Sequence, residues 1–307
     1  MQRLDGGASI PSHLADGIVA LGNFDGFHLG HQAVVARAIA WAKAEGRPAL
    51  VATFDPHPVR HFRPDTPPFR LTTLDQRERL FADAGADAMV VFHFDGDLAA
   101  LTAEQFVADR LERNLRIGGV VTGEDFTFGH AKSGTVHTLA ARGPVHGFRA
   151  ETVGAVALDG ETVSSTRIRE ALRAGDMATA TRLLTRPFAI EGVVQHGDKL
   201  GRTIGYPTAN LDMGNYLRPA YGIYAVTGQL EDGRVLKGAA NLGIRPSFDP
   251  PKELLEPHFF NFTENLYGQT IEVALIDYLR PEAKFDSLDA LIAQMDIDCD
   301  RARTILG

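Results

Sequence analysis

Residues 22–31 read Gly22-Asn23-Phe24-Asp25-Gly26-Phe27-His28-Leu29-Gly30-His31, with three glycines and two histidines close together. Glycine lets the backbone turn tightly and approach a ligand. An apolar run, Gly17–Phe24, leads into this stretch, and a helical pattern, Gln32–Ala44, leads out of it. The motif therefore sits where a strand turns into a helix. Free N–H groups and the positive end of a helix dipole favour phosphate there. Histidines three residues apart reach the same side of a helix start, where they can stabilise developing negative charge. Read singly, each histidine is a surface or capping residue. Zinc is a rival, but it wants further ligands and no cysteine lies nearby.

Further polar groups follow other apolar runs. Ser164-Ser165-Thr166-Arg167-Ile168-Arg169 precedes a helical pattern, where hydroxyls cap and an arginine grips an anion. The plainer reading is capping with exposed arginines. Thr53–Pro58 and Gly123–Gly129 each follow a strand-like run. Phe126 and Phe128 alternate with polar neighbours, so one of them could stack on a flat ring, or both are core.

The stretch Gly197–Asn210 is a second glycine-rich loop, without the G-x-x-x-x-G-K-[ST] of a P-loop. A loop that covers phosphates, followed by a hydroxyl and an amide, suits a magnesium–nucleotide complex. On a strand through 255–262, Glu256, His258, Phe260 and Phe262 face one way. Glu256 is then a candidate general base towards a substrate hydroxyl, or an exposed edge-strand carboxylate. Pro257 cannot donate to a ladder, so an edge or bulged strand is expected.

Elements of two kinds must position these groups. Gly17–Phe24, Ala49–Phe54, Ala88–Phe94 and Gly118–Gly123 read as buried strands. They alternate with helical patterns at Gln32–Ala44, Leu74–Ala84 and Thr102–Asn114. In the first helix Val34, Val35, Ala38, Ile39 and Ala42 share a face. Such alternation predicts a parallel sheet with helices on both sides and ligands at the carboxyl ends of its strands. Two short helices, Thr166–Ala174 and Met177–Leu184, lead to Arg186-Pro187. Beyond lie strand-like segments Phe188–His196, Gly222–Leu230, Arg234–Asn241, Leu255–Phe262 and Thr270–Leu279. They predict a small antiparallel β barrel, closed by a helix over Ser287–Ile305 that Ser287 caps. The boundary is expected near 186, giving domains 1–186 and 187–307.

The chain has 307 residues, 44% hydrophobic and 23% charged, enough for about two globular domains. Its formal charge is −8, from 39 acidic and 31 basic residues. A nucleic-acid binder shows a basic excess, so any phosphate site here is basic only locally. A single cysteine, Cys299, excludes a disulfide framework within the chain and fits a reducing compartment. There is no signal-peptide pattern at the start and no apolar run long enough for a membrane span. The expectation is a soluble cytoplasmic enzyme with no nucleic-acid or membrane partner. Oligomeric state is not legible.

In order, Gly22–His31, Thr53–Pro58, Gly123–Gly129 and Ser164–Arg169 resemble the adenylyltransferase half of the bacterial bifunctional riboflavin kinase/FMN adenylyltransferases, also called prokaryotic FAD synthetases. Gly197–Asn210, Tyr221–Val226, Asn241–Phe248, Glu256–Phe262, Leu266–Gly268 and Leu279–Phe285 resemble the riboflavin kinase half. The resemblance covers nearly the whole chain. It implies a Rossmann-like α/β nucleotidyltransferase domain followed by a β-barrel kinase domain. The implied reactions are ATP-dependent phosphorylation of riboflavin to FMN, then adenylylation of FMN by ATP to FAD and pyrophosphate, both with Mg2+.

By the same resemblance His28 and His31 hold the ATP phosphates, and Ser164, Thr166 and Arg167 complete the grip. Gly22, Asn23, Phe24, Asp25, Gly26 and Gly30 line the same ATP. Asp55, Pro56, Asp125, Phe126 and Phe128 face the flavin. In the kinase half Gly197, Lys199, Gly201, Arg202, Gly205 and Pro207 cover ATP, Thr208 and Asn210 meet magnesium with ATP, and Glu256 is the base. The sequence departs from the commoner pattern at Pro257, at Asn261, where aspartate is frequent, and at Lys132, which replaces an arginine. Three alternatives remain: an enzyme with one activity, a nucleotidyltransferase for another phosphate acceptor, and a non-catalytic nucleotide-binding regulator.

Overall fold

In the computed structural model, residues 1–196, 205–245 and 252–307 are described. They form two compact units, one of residues Met1–Pro67 and Leu74–Ser164, the other of Pro68–Thr73 and Ser165–Gly307.

The first unit is a six-stranded sheet, entirely parallel, in the order β1-β4-β3-β2-β5-β8. Its strands are β1 (Gln2–Asp5), β2 (Ile18–Leu21), β3 (Ala49–Asp55), β4 (Ala88–His93), β5 (Gly119–Gly123) and β8 (Arg149–Val153). Two short hairpins complete the unit, β6 (Thr127–Phe128) with β7 (Gly134–Thr135) and β9 (Ala157–Leu158) with β10 (Glu161–Thr162). Strands buried on both faces read as continuous apolar runs, which is why β2 to β5 are legible in sequence. β1 and β8 carry charged, partly exposed residues and lie at the edges, so sequence reading misses them.

Side chains alternate between two cores. Val19, Leu21, Leu50, Ala52, Val90 and Val120 join one, together with Phe106, Val107 and Leu111. Ile18, Ala20, Val51, Met89 and Val121 join the other, with Val34, Val35, Ala38 and Trp41 of helix α1 (Leu29–Glu45) and with Phe81. Helices thus cover both faces, as expected. Ile39 is partly buried on the α1 face, and Trp41 is an addition to the residues read from spacing. The remaining helices of this unit are α2 (Pro58–Phe62), α3 (Leu74–Asp83), α4 (Gly96–Ala100), α5 (Ala103–Gln105) and α6 (Val136–Arg142). Thr102 and Gln105 form a capping box at α5, and the chain then continues as a π-helix over Phe106–Asn114.

The second unit is a six-stranded antiparallel sheet in the order β11-β16-β13-β14-β15-β12. Its strands are β11 (Phe188–Val193), β12 (Leu211–Asp212), β13 (Gly222–Leu230), β14 (Val235–Arg245), β15 (Lys252–Phe259) and β16 (Thr270–Arg280). Gln195 N–H donates to the Asn210 carbonyl at 2.8 Å, so the two ends of the sheet meet and the barrel is nearly closed. Helices α7 (Ser165–Ala174) and α8 (Met177–Leu184) group with this unit, α8 packing on β11 and β16. The compact units divide after Ser164, so the two short helices group with the barrel.

Helix α9 (Leu288–Leu306) covers β13 and β14 from outside, burying Ala225, Ala239 and Leu279 against Cys299 and Ala302. Ser287 caps it as expected, accepting from Ala290 N–H at 3.2 Å. Asp298 is buried in α9, where Arg280 (Nη2, 2.6 Å) and Gln294 (3.0 Å) hold it. Among the described residues no helix is long and apolar enough to cross a membrane.

Two details of β15 differ from the sequence expectation. The strand is neither an edge nor bulged: its register with β14 runs unbroken from Gly238↔Phe259 to Arg245↔Lys252, and β12 pairs its other side. The Pro257 carbonyl accepts from Ala209 N–H at 3.0 Å, so its nitrogen faces the side where the two-residue β12 ladder has ended. No ladder donor is lost there. The strand also stops at Phe259. Asn261 takes a left-handed conformation (φ 54°), which asparagine tolerates, so Phe262 does not continue the face of Glu256 and His258.

Candidate functional site

The order of the parallel sheet reverses between β2 and β5: β3 and β4 extend it on one side of β2, and β5 and β8 on the other. That switch point is where ligands bind in such sheets. The loop after β2 carries Gly22–His28, with Gly30 and His31 in the first turn of α1, and β5 is followed by Asp125, Phe126 and, on β6, Phe128.

The histidine loop is held from below by its aromatics. Phe24 and Phe27 both have positive φ (49° and 42°), which costs each about 1–2 kcal/mol. Both rings are buried edge-on against Phe81, at 5.8 and 5.1 Å. Burying a phenylalanine is worth about 1.5–3 kcal/mol, enough to hold the turn. The ring of Phe24 therefore belongs to the core.

His28 is buried and occupies the N-cap of α1, its Nδ1 accepting from His31 N–H at 3.4 Å. The neutral ring then carries its proton on Nε2. The His28 and His31 rings stack at 3.6 Å with 20° between their planes. Gly30 makes room for this: a Cβ there would lie 3.2 Å from the His28 ring and 3.6 Å from the Val163 carbonyl. Ser164, next along, is half-buried in the same unit. Thr166 and Arg167 stand on α7, the first exposed and the second half-buried. Asp25 is buried, and Gly22 and Gly26 lie in the buried part of the loop.

On the β3 side, Asp55 and Pro56 are half-buried and joined by a cis peptide. Phe128 is a core residue with Phe126 stacked on it at 5.8 Å, partly buried, and Asp125 is exposed. An aromatic group that sequence reading misses lies here too. Phe62 on α2 is 65% exposed, with His61 at 5.1 Å and Phe94 at 5.8 Å. An exposed aromatic next to other rings is a stacking surface. Its place between His61 and Arg63 was the available signal.

In the barrel, Glu256 and His258 lie on the outer face, opposite Asn241 and Ala239 of β14. Helix α9 covers Ala239 and leaves Glu256 half-buried. His258 Nδ1 lies 2.9 Å from the Pro207 carbonyl, so it must donate. Tyr206 packs edge-on to His258 at 5.2 Å and donates its hydroxyl to Asp296 of α9. Burial first, then that carboxylate, pushes the Tyr206 phenol up to about 12. Thr208 is half-buried and Asn210 buried, while Gly205 (φ 89°) and Pro207 are exposed. The barrel therefore brings Pro207–Asn210 against the strand of Glu256. Gly197, Lys199, Gly201 and Arg202, and Phe248 of the β14–β15 connection, lie outside the described residues.

Sequence reading gave no role to Asn241 or Glu282. Asn241 Nδ2 donates to Glu282 Oε1 at 3.4 Å, and Glu282 packs on Gly243, where a Cβ would come within 2.1 Å of it. Pairing Asn241 with Glu256 across a hairpin was the usable signal.

A family model described as FAD synthetase matches residues 10–167, and one described as riboflavin kinase matches residues 184–306. The bifunctional riboflavin kinase/FMN adenylyltransferase of Escherichia coli K12 is 38% identical over 290 residues, covering 94% of this chain and 93% of its own. The chain belongs to the bifunctional riboflavin kinase/FMN adenylyltransferase family. The Bacillus subtilis bifunctional riboflavin kinase/FMN adenylyltransferase is 36% identical, with 95% of each chain covered. A solved structure described as a macrolide-efflux protein from Streptococcus pneumoniae has the same fold, with a TM-score of 0.88, 31% identity and 99% of each chain covered. The two matched segments of the riboflavin kinase/FMN adenylyltransferase family fall on the parallel sheet and on the barrel in turn.

Proposed function

We propose that two separate sites act in sequence on one flavin, the barrel first. The enzyme phosphorylates riboflavin to FMN with ATP and adenylylates FMN with a second ATP, giving FAD and pyrophosphate. We assign the kinase reaction to residues 187–307 and adenylyl transfer to residues 1–186.

In the kinase reaction, Glu256 accepts the proton of the terminal ribityl hydroxyl as that oxygen attacks the γ-phosphorus of ATP, and ADP leaves. The hydroxyl of Thr208 and the amide oxygen of Asn210 are hard oxygen donors, which fit Mg2+; that ion takes its other ligands from phosphate and water. Magnesium bound with ATP would neutralise charge on the phosphates. We assign Gly197, Lys199, Gly201, Arg202, Gly205 and Pro207 to the ATP of this reaction by the resemblance alone.

In adenylyl transfer, the FMN phosphate is itself the nucleophile at the α-phosphorus, so no covalent enzyme intermediate forms. The protein supplies position and charge stabilisation. His28 donates from Nε2, and the α1 N–H groups, His31 and Ser164 complete the cradle; Thr166 and Arg167 are assigned to the same phosphates by the resemblance alone. Asn23 and Asp25 flank the reacting phosphates. The isoalloxazine ring lies towards Asp55, Pro56, Asp125, Phe126 and Phe128, with Phe62 as an exposed ring to stack upon. We place both reactions in the cytoplasm.

The observation that carries this reading is the pairing of a stacked histidine dyad at a helix start in one unit with a half-buried carboxylate beside a hydroxyl–amide loop in the other. Chromatography of products from riboflavin, ATP and magnesium tests it. FMN should appear first and FAD after it. Flavin left unchanged, or FMN that is never converted, would contradict it.

A further inference from the structure

We infer that Arg77 is a positioning residue for adenylyl transfer, fixing the entrance of the histidine loop against the Asp55–Pro56 loop; this rests on the adenylyl-transfer reading above. Arginine on a surface helix normally reaches solvent, yet Arg77 on α3 is only 3% exposed. A buried cation is costly unless its hydrogen bonds are met, so its contacts carry its purpose. Nη1 donates to the Asn23 carbonyl at 3.0 Å and to Thr53 Oγ1 at 2.8 Å. Thr53 Oγ1 in turn donates to the same carbonyl at 2.9 Å. Nη2 lies 3.9 Å from Asp55 Oδ1.

One guanidinium thus ties the first side-chain-bearing residue past β2 to the end of β3. Those two points lead into the loops assigned to ATP phosphates and to flavin. Doubly held by its main chain, Asn23 keeps a side-chain Oδ1 that is buried and has no hydrogen-bond partner among the described residues. Buried polar atoms normally have one. An amide oxygen accepts, so its complement is an N–H or O–H of a bound substrate and not an ionised phosphate oxygen. Arg77 holds that acceptor ready. A planar fork meets two acceptors at once, whereas an ammonium is a point charge on a flexible stem.

The test is steady-state kinetics of both half-reactions in Arg77→Met, Arg77→Lys and Thr53→Val. Misplacement of about 1 Å costs up to ~10²-fold, so Arg77→Met should lower kcat for FAD formation by about that factor with a smaller change in KM. Arg77→Lys should recover part of the loss. Thr53→Val keeps the shape nearly unchanged and should lose about tenfold. FMN formation from riboflavin should stay at the wild-type rate in all three. Wild-type FAD formation in Arg77→Met, no recovery in Arg77→Lys, or both reactions falling together would overturn the inference. Wild-type protein that makes no FAD from supplied FMN would overturn the reading beneath it.

Discussion

The two sites reach precision by different means. In the parallel-sheet unit the groups proposed to act on ATP and FMN stand past buried strand ends, and the histidine loop is pinned from beneath, by the Phe24 and Phe27 rings and by Arg77. In the barrel the proposed base, Glu256, stands on a strand, and the ladder with β14 fixes that strand. Among the described residues the Pro207–Asn210 segment has extra ties there, to His258, to the Pro257 carbonyl and to the Gln195 N–H. A loop-built site should therefore be sensitive to residues that never touch substrate, and a strand-built site mainly to the residues that do.

The sharpest way to break this comparison is to remove the histidine dyad. His28→Ala with His31→Ala should lower FAD formation from FMN by about 10²–10³-fold or more, the scale of losing a charge-stabilising donor. FMN formation should be unchanged. Separate rate assays of the two reactions check this, and a matching fall in both would mean the sites are not independent.

A smaller effect is expected at His258. Without its bond to the Pro207 carbonyl, the Thr208–Asn210 segment loses one of several ties, so His258→Ala should lower FMN formation about tenfold. His258→Asn, which keeps a donor, should restore much of it. The magnesium dependence of the rate is the discriminating readout: it should move in the alanine variant and return in the asparagine variant.

The smallest effect should appear outside both sites. His146 Nδ1 lies 2.6 Å from Glu112 and Nε2 lies 3.0 Å from Glu104, which Arg142 also holds. Hydrogen bonding to Glu112 first, then to Glu104, outweighs burial and raises the imidazole above its ordinary 6.5. A raised folded pKa gives stability that is full below the unfolded value and lost as pH rises through the folded one. The partners are exposed, so the term is small. Wild type should exceed His146→Gln by about 1–2 °C in Tm at pH 6, with the gap closed at pH 9. Both activities of the variant should match wild type.

How much could be read in sequence follows the same division. Buried strands β2 to β5 announce themselves because burial on both faces leaves no polar alternation to confuse them. Edge strands β1 and β8 do not, since their half-exposed residues look like loop. Glycines and histidines 22–31 were legible because few other uses explain that spacing. Arg77 was not, because on a helix an arginine looks like solvated surface until the fold buries it. Pro257 misled because its missing N–H matters only on the paired side, and sequence does not show which side that is. Asn241 and Glu282 become visible only once the hairpin register and the chain past β16 are in place.

The central claim is that residues 1–186 and residues 187–307 carry separate reactions, and one preparation of Glu256→Gln tests it most directly. With riboflavin, ATP and magnesium, FMN formation should fall by about 10²–10⁴-fold, the scale of a lost general base. With FMN supplied instead, FAD should form at the wild-type rate. FMN formed from riboflavin at the wild-type rate would remove Glu256 from the chemistry, and loss of both reactions together would contradict two separate sites.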